Sequence, residues 1–332
     1  SNVGVKVALS DSNTIKVEKS DEIYAKLLRY TRDKEISPTA FSMYVKCPLS
    51  FYLKYIEQLY VENELEEDVD SLVFGNIFHK AADLLYSQIK GDANPAHLLE
   101  KLRGRGEVER CVDRAIAEVY FADKSNKEHA LGGELSVVRS MVLSFLKEYL
   151  LNYDIKNRDF AVYDTEYDLK MTVPIEVNGE KLDVNLKGRA DRIDSLNNGM
   201  MRIIDYKTGA QELNYEDVST LLYDETENHK KSNIINTLLY SMMLKSMLNR
   251  DVRPELYYIA YMADKDFSPL FVGGSSDRLE SYSAIAEEFE AEVKNLLRDL
   301  FDRSKPFVQR QESKGCVYCD FLDVCNKKVV KW

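Results

Sequence analysis

Between Tyr163 and Lys207 the sequence changes period. Tyr163–Val177, Lys181–Ile193 and Met201–Lys207 alternate β-forming with polar residues, and only Asn178-Gly179 and Asn197-Asn198-Gly199 separate them. Connections this short predict a β-meander. The chain around it reads differently. Leu72–Ile89, Val108–Phe121 and Leu135–Leu151 have helical periodicity before the meander, and Asn233–Leu248 and Leu279–Phe301 have it afterwards. Short strands are expected at Glu255–Met262 and Leu270–Val272. Ser37-Pro38 and Cys47-Pro48 each open a helix, since proline is tolerated at a first helical position and Ser37 can cap. Residues 1–35 form a lead-in, with VKVAL and TIKVEK strand-like and EIYAKLLRYT helical. The fold class is α/β: a mixed sheet with a helical region in front and a cysteine-rich segment at the end.

Composition narrows the function classes. Lys+Arg number 45 against 56 Asp+Glu, a net charge of −11, which argues against coating nucleic acid by bulk charge but permits local contacts. No apolar run approaches a membrane span, and the first 20 residues lack the apolar core of a secretory signal. Five cysteines are too few for a disulfide scaffold and odd in number, so an intracellular setting with metal or redox chemistry is expected. Residue 1 is Ser, which points to a processed chain or a piece of a longer one. The acidic run at 62–70, six acids in nine positions, reads as a solvated linker.

The sharpest local signal is IIDYKTG, Ile203–Gly209. On a strand Asp205 and Lys207 point to one face, and Ile204 and Tyr206 to the other. A second acid, Asp191 of GRADRID, lies one strand earlier. Whether the two acids meet depends on the turn. A two-residue Asn198-Gly199 turn would put them on opposite faces. A three-residue loop pairs position 196 with 200 and puts them together, with Gly199 in the left-handed position such a loop requires. The three-residue loop is predicted. Two converging carboxylates repel unless a cation lies between them, and hard oxygen ligands suit Mg²⁺ or Mn²⁺. Lys207 adds a positive charge that can orient water and offset charge on a phosphate. The chemistry indicated is metal-assisted phosphodiester hydrolysis.

GRADRID followed by IIDYKTG resembles the core of the PD-(D/E)XK nucleases, in particular the RecB-type subgroup with its AddB-type subunits. The resemblance implies a restriction-endonuclease-like sheet flanked by helices. In that subgroup a helical His precedes the core, and GNIFHKAADLL supplies His79. By resemblance His79, Asp191 and Asp205 are metal ligands with the Tyr206 carbonyl contributing, and Lys207 is the catalytic lysine. The subgroup also carries Gln-x-x-x-Tyr on the next helix. Here NTLLYSMML provides Tyr240, with Asn236 where Gln is expected.

Cys316, Cys319 and Cys325 form C-x2-C-x5-C, and a fourth ligand must come from Cys47 or Cys111. Cys111 sits mid-helix and reads as a small buried hydrophobe, whereas Cys47 opens a helix where a thiolate is favoured. Spacing alone allows zinc or an iron–sulfur cluster. The resemblance implies the cluster: AddB-type nucleases hold [4Fe–4S] with one upstream Cys and three close together after the core, so Cys47, Cys316, Cys319 and Cys325 are its expected ligands. Residues 301–332 carry seven Lys+Arg and four Asp+Glu, a local +3 beside Tyr318, Phe321 and Trp332, which fits either a DNA path or a solvated tail.

The resemblance therefore implies a Mg²⁺- or Mn²⁺-dependent deoxyribonuclease, an exonuclease of DNA end processing, recombination or repair. It would act on ends or single strands in the cytoplasm with a helicase–nuclease partner and no membrane. The expected organisation is a lead-in at 1–36 and a nuclease domain at 37–332. That domain divides into a helical part (37–155), a core (160–300) and an iron–sulfur segment (301–332). The chain is expected to be the C-terminal nuclease part of a longer AddB-like protein. The alternatives are a non-catalytic DNA-binding or scaffold module of such a complex, and a CRISPR-associated single-strand exonuclease.

Overall fold

The computed structural model describes residues 14–59, 71–125, 129–209, 211–223, 230–310, 316 and 319–325. The segment VKVAL, the acidic run at 62–70, Tyr318 and Trp332 lie outside them. In chain order the elements are β1 (Lys16–Val17), α1 (Asp21–Asp33), α2 (Pro38–Lys46), α3 (Pro48–Phe51), α4 (Ser71–Tyr86), α5 (Pro95–Gly104), α6 (Glu107–Val119), α7 (Gly133–Ser144) and α8 (Leu151–Lys156). They continue with β2 (Phe160–Val177), β3 (Glu180–Leu196), β4 (Met201–Lys207), α9 (Val218–Tyr223), α10 (Ser232–Leu248), β5 (Val252–Tyr258), α11 (Ala286–Phe301) and β6 (Phe307–Val308).

The sheet runs β2-β3-β4-β5, and β1 pairs separately with β6. β2–β3 and β3–β4 are antiparallel hairpins, while β4–β5 is parallel because α10 forms the crossover between them. Apolar side chains cover both faces. On one side α1, α2, α3, α10 and α11 share a core with Leu169, Ile193, Ile203 and Leu256. On the other, α4 to α8 pack on Phe160, Ile204, Tyr206 and Tyr257. No helix among the described residues is long and apolar enough to cross a membrane.

The meander turns as predicted. Ser195 pairs with Met201 and Arg192 with Ile204, Leu196 N donates to Met200 O at 2.9 Å, and Gly199 has φ of 89°. The Ser37 hydroxyl caps α2, and α3 starts at Pro48. Elsewhere the sequence expectation is corrected. Leu270–Val272 is no strand: only Val272 bridges, to Asn214 and Arg278. β5 starts at Val252 and ends at Tyr258, where the chain coils into a short turn at Ile259–Tyr261. The last helix begins at Ala286, because Ser281 caps a separate turn at Tyr282–Ala284. Two helices went unread. α5 is opened by Asn94-Pro95 with the Asn94 side chain as cap, and α9 by the Asp217 carboxylate on Thr220 N at 2.6 Å.

A charged network lies between the sheet and the α4–α8 layer. Arg192 is fully buried, and its guanidinium donates to Asp154 on α8 at 2.7 Å, to the Tyr206 hydroxyl at 3.0 Å and to Asp194 at 3.1 Å. It also stacks 4.2 Å from the Tyr86 ring centroid, while Tyr86 donates to Asp154 at 2.6 Å. Arg202 donates to Asp194 at 2.6 Å. Removing one partner leaves buried carboxylates without their countercharge, so Arg192→Met is expected to cost about 3–5 kcal/mol in urea unfolding. Tyr206→Phe, which deletes one neutral hydroxyl, should cost about 1 kcal/mol. A loss no larger for Arg192→Met than for Tyr206→Phe would show that the network contributes little.

Candidate active site

The pairing rules of the sheet align three carboxylates. Asp191 and Asp205 lie on the β3–β4 register of Arg192–Ile204 continued by one step. On the other side of β3, Glu166 falls opposite Asp191, between the partners Thr165–Arg192 and Tyr167–Ala190. Glu166 has φ of 46°, so the edge strand is distorted where the acids meet. The row Glu166–Asp191–Asp205 thus crosses three adjacent strands.

α4 brings His79 to this row. Its Nδ1 lies 3.2 Å from Asp191 Oδ1, while Asp191 Oδ2 accepts the Tyr206 amide at 2.7 Å. Ligand atoms of His79, Glu166 and Asp191 all lie within 4.8 Å of one another, a grouping able to hold a metal ion. Lys207 Nζ lies 2.6 Å from Asp205 Oδ2, so the expected Asp-x-Lys pair shares a face. Of the residues predicted here, His79, Asp191, Asp205, Tyr206, Lys207 and Tyr240 come together. Glu166 was missed. Its sequence signal is the Asn178-Gly179 turn: pairing Val177 with Glu180 and counting along the ladder sets position 166 opposite 191.

The site is electrostatically stressed. Burial pushes Asp205 up to about 6, against the attraction of Lys207 and with the help of the Asp191 charge. Burial also raises Asp191, but His79, Lys207 and the Tyr206 amide outweigh it and hold the carboxyl below its usual value. Burial opposes the charge of His79, yet Asp191 holds it above the ordinary histidine value. Lys207 likewise stays above its ordinary value because Asp205 and Asp191 outweigh burial. Glu166 is raised by burial and then by Asp191 and Asp83.

Tyr240 lies against β3, near enough to the row to feel its charge. Its phenol is raised by burial and then by Asp205, Asp191 and Glu166. Its ring lies over Gly188, where a Cβ would come within 2.6 Å of the ring, so the glycine of GRADRID makes room for the tyrosine. Asn236 faces elsewhere. Its amide meets the Ser42 hydroxyl at 2.6 Å and, with the NH₂ turned toward α2, donates to Pro38 O at 3.0 Å, holding α10 against α2.

The cysteine segment docks on α3. Cys47 precedes α3, the Ser50 hydroxyl lies 3.5 Å from Cys319 Sγ, and Lys54 pairs with Asp320 at 3.2 Å. Cys319 N donates to Cys316 O at 3.0 Å, and Cys325 N to Phe321 O at 3.1 Å. Cys47, Cys319 and Cys325 pack against the same core, beside buried Phe321. Cys111 is apart and buried on α6, its thiol pushed up to about 11 by burial.

A divalent cation entering the His79–Glu166–Asp191 group competes with protons on His79 and Glu166, both held above their ordinary values. Mn²⁺ binding followed by calorimetry is therefore expected to release protons, and its affinity should fall at least about tenfold from about pH 7 to about pH 5. A pH-independent affinity would place the ion elsewhere.

Comparison with known proteins gives a consistent family. The profile described as the PD-(D/E)XK nuclease superfamily matches residues 35–326. Curated relatives are named as one subunit of an ATP-dependent helicase/deoxyribonuclease. The Clostridium perfringens relative is 27% identical over 215 residues, 60% of this chain and 17% of the relative. That of a Thermoanaerobacter species is 23% identical over 95% of this chain and 31% of its own length. That of Lactococcus lactis is 21% identical over 87% and 28%. The chain thus spans less than a third of the length of these relatives.

Proposed function

The chain belongs to the PD-(D/E)XK nuclease superfamily, and on that footing we propose that it is a metal-dependent deoxyribonuclease unit of an AddB-like helicase–nuclease protein. The observation that carries this reading is the carboxylate row beside the Asp205–Lys207 pair, with His79 at 3.2 Å from Asp191. The nuclease unit is residues 37–332, working on DNA ends or single strands in the cytoplasm.

In this reading His79, Glu166, Asp191 and Asp205, with the Tyr206 carbonyl, hold Mg²⁺ or Mn²⁺. When bound, such a cation supplies Lewis acidity toward the phosphate oxygens and toward water. The protein does the positioning. Lys207 keeps its proton because Asp205 and Asp191 outweigh burial, so it acts as a donor that orients the attacking water and offsets phosphate charge. The Tyr206 amide fixes the Asp191 rotamer by its 2.7 Å bond. Tyr240 borders the site and contacts substrate.

The test is cleavage of end-labelled linear and closed circular DNA with Mg²⁺ or Mn²⁺. Asp205→Ala and Lys207→Ala are each expected to lower the rate at least about a hundredfold. Resistance of the circle would make the activity end-dependent. A folded wild-type protein that cuts neither substrate would leave the scaffold reading in its place.

Cys47, Cys316, Cys319 and Cys325 are the proposed ligands of a [4Fe–4S] cluster. Supporting this, Cys47, Cys319 and Cys325 pack against one core and Cys319 N donates to Cys316 O at 3.0 Å, so the four lie in one region of the fold. Anaerobically purified protein is expected to contain iron and acid-labile sulfide, and Cys319→Ser to lose both. Stoichiometric zinc without sulfide would favour the tetrahedral site.

A further inference from the structure

Beyond the carboxylate row, the β2–β3 hairpin carries a second charge pattern that the proposed chemistry leaves unexplained. Asp168 is the direct partner of Arg189, and Lys170 is the direct partner of Lys187. All four are exposed. The first pair is complementary, with Arg189 Nε donating to Asp168 at 2.9 Å. The second sets two lysines directly opposite each other, an arrangement of like charges that destabilises an antiparallel pair. The next pair along, Thr172–Asn185, is joined by a 2.8 Å hydrogen bond, so the hairpin offers compatible partners where nothing else is asked of it.

Neighbouring carboxylates do little for the lysines. Lys187 reaches Glu35 only at 3.8 Å. The polar contact of Lys170 is made by its backbone amide, to Met247 Sδ at 3.3 Å, and among the described residues its ammonium meets no carboxylate. A conflict of this kind inside an otherwise consistent ladder is expected where a ligand supplies the missing charge.

The lysine pair borders a groove of about 440 Å³ between the start of α2 and the hairpin, lined also by Thr39, Arg189 and Tyr240 and by the carboxylates of Glu35 and Asp168. Lys187 stands four residues along β3 from Asp191, a distance of about 13 Å on an extended strand. Tyr240 links the two places, since it lines the groove, packs on Gly188 three residues before Asp191, and feels the charges of Asp205, Asp191 and Glu166. We propose that this groove binds the backbone of a single nucleic-acid strand, with Lys170, Lys187 and Arg189 on its phosphates, and leads that strand to the carboxylate row. The line of cations running toward a site for phosphodiesters favours a polyanionic strand over an acidic protein. The Tyr240 ring at the inner end offers a face on which a base can stack.

The proposal rests on the nuclease reading, and the two can fail separately. Binding of a fluorescent oligothymidylate to the whole 332-residue chain, in EDTA to prevent cleavage, is followed by anisotropy across a range of KCl. The double variant Lys170→Gln/Lys187→Gln removes two phosphate contacts. The slope of log affinity against log salt is then expected to become shallower by about 1.4, at about 0.7 per contact on a single strand. Thermal stability should stay the same or rise, because the like-charge pair is gone. Lys101→Gln, an exposed lysine of α5, serves as the control and should leave the slope unchanged. A slope equal to that of the control, or no binding by the wild type, overturns the groove. If the wild type cleaves DNA while the double variant keeps its slope, the groove fails and the nuclease reading stands. If the slope shifts as expected but the wild type cleaves nothing, the nuclease reading fails and the strand-binding groove remains.

Discussion

The rest of the structure depends on one buried guanidinium. Arg192 ties the helical layer to the sheet through Asp154 on α8, Asp194 on β3, the hydroxyl of Tyr206 on β4 and the face of Tyr86 on α4. Its neighbours in sequence are the site itself. Asp191 precedes it on β3, Tyr206 lies between Asp205 and Lys207, and Tyr86 follows His79 by seven residues, two turns along one helix face. Strand alternation sends Arg192 into the helical layer and leaves Asp191 free to turn toward the carboxylate row. The 3.2 Å approach of His79 to Asp191 is thus a consequence of how α4 is held two turns away.

Such a device suits a site that repels itself. Glu166, Asp191 and Asp205 across three strands would spread apart if the backbone allowed it, and among the described residues only His79 and Lys207 provide countercharge within ion-pair distance of Asp191 and Asp205. The protein instead fixes each acid separately: Asp191 by the Tyr206 amide, Asp205 by Lys207, Glu166 by a distorted edge strand. Charge that the fold confines but does not neutralise attracts a hard cation. The same logic holds farther along the hairpin with the opposite sign, where Lys170 faces Lys187.

Much of this was legible in the sequence because strand parity is a discrete quantity. The Asn197-Asn198-Gly199 loop determines whether Asp191 and Asp205 meet, and a three-residue turn with glycine last has one good solution. Glu166 was within reach of the same count: the two-residue Asn178-Gly179 turn pairs Val177 with Glu180, and the register runs unbroken from there to Thr165–Arg192, which sets 166 opposite 191. A count confined to the β3–β4 hairpin of the meander does not reach it. Leu270–Val272 misled for a different reason: its residues suit a strand, but only Val272 finds strand-like partners. Asn236 shows the limit of a motif. The amide is where an amide is expected, one methylene shorter, and it faces Ser42 and α2 instead of the site.

The ends of the chain raise a different physical question, because every contact that joins them among the described residues is noncovalent. β1 and β6 contribute two residue pairs, and the buried Lys19 ammonium reaches the carbonyls of Asp299 and Asp302 at 3.0 and 2.9 Å. Arg310 adds a bond to Val45 O at 2.9 Å, and Gln309 one to Cys325 O at 3.3 Å. Contacts of this size fix geometry once the domain is folded but do not restrain the unfolded chain. A cluster joining Cys47 to Cys316, 269 positions apart, would do so. By loop-closure entropy such a crosslink would be worth about 5.6 kcal/mol, and it would act on the unfolded ensemble whatever the native contacts contribute. The terminal contacts and the proposed cluster are therefore complementary: the first orient the cysteines, and the second would make their meeting persist.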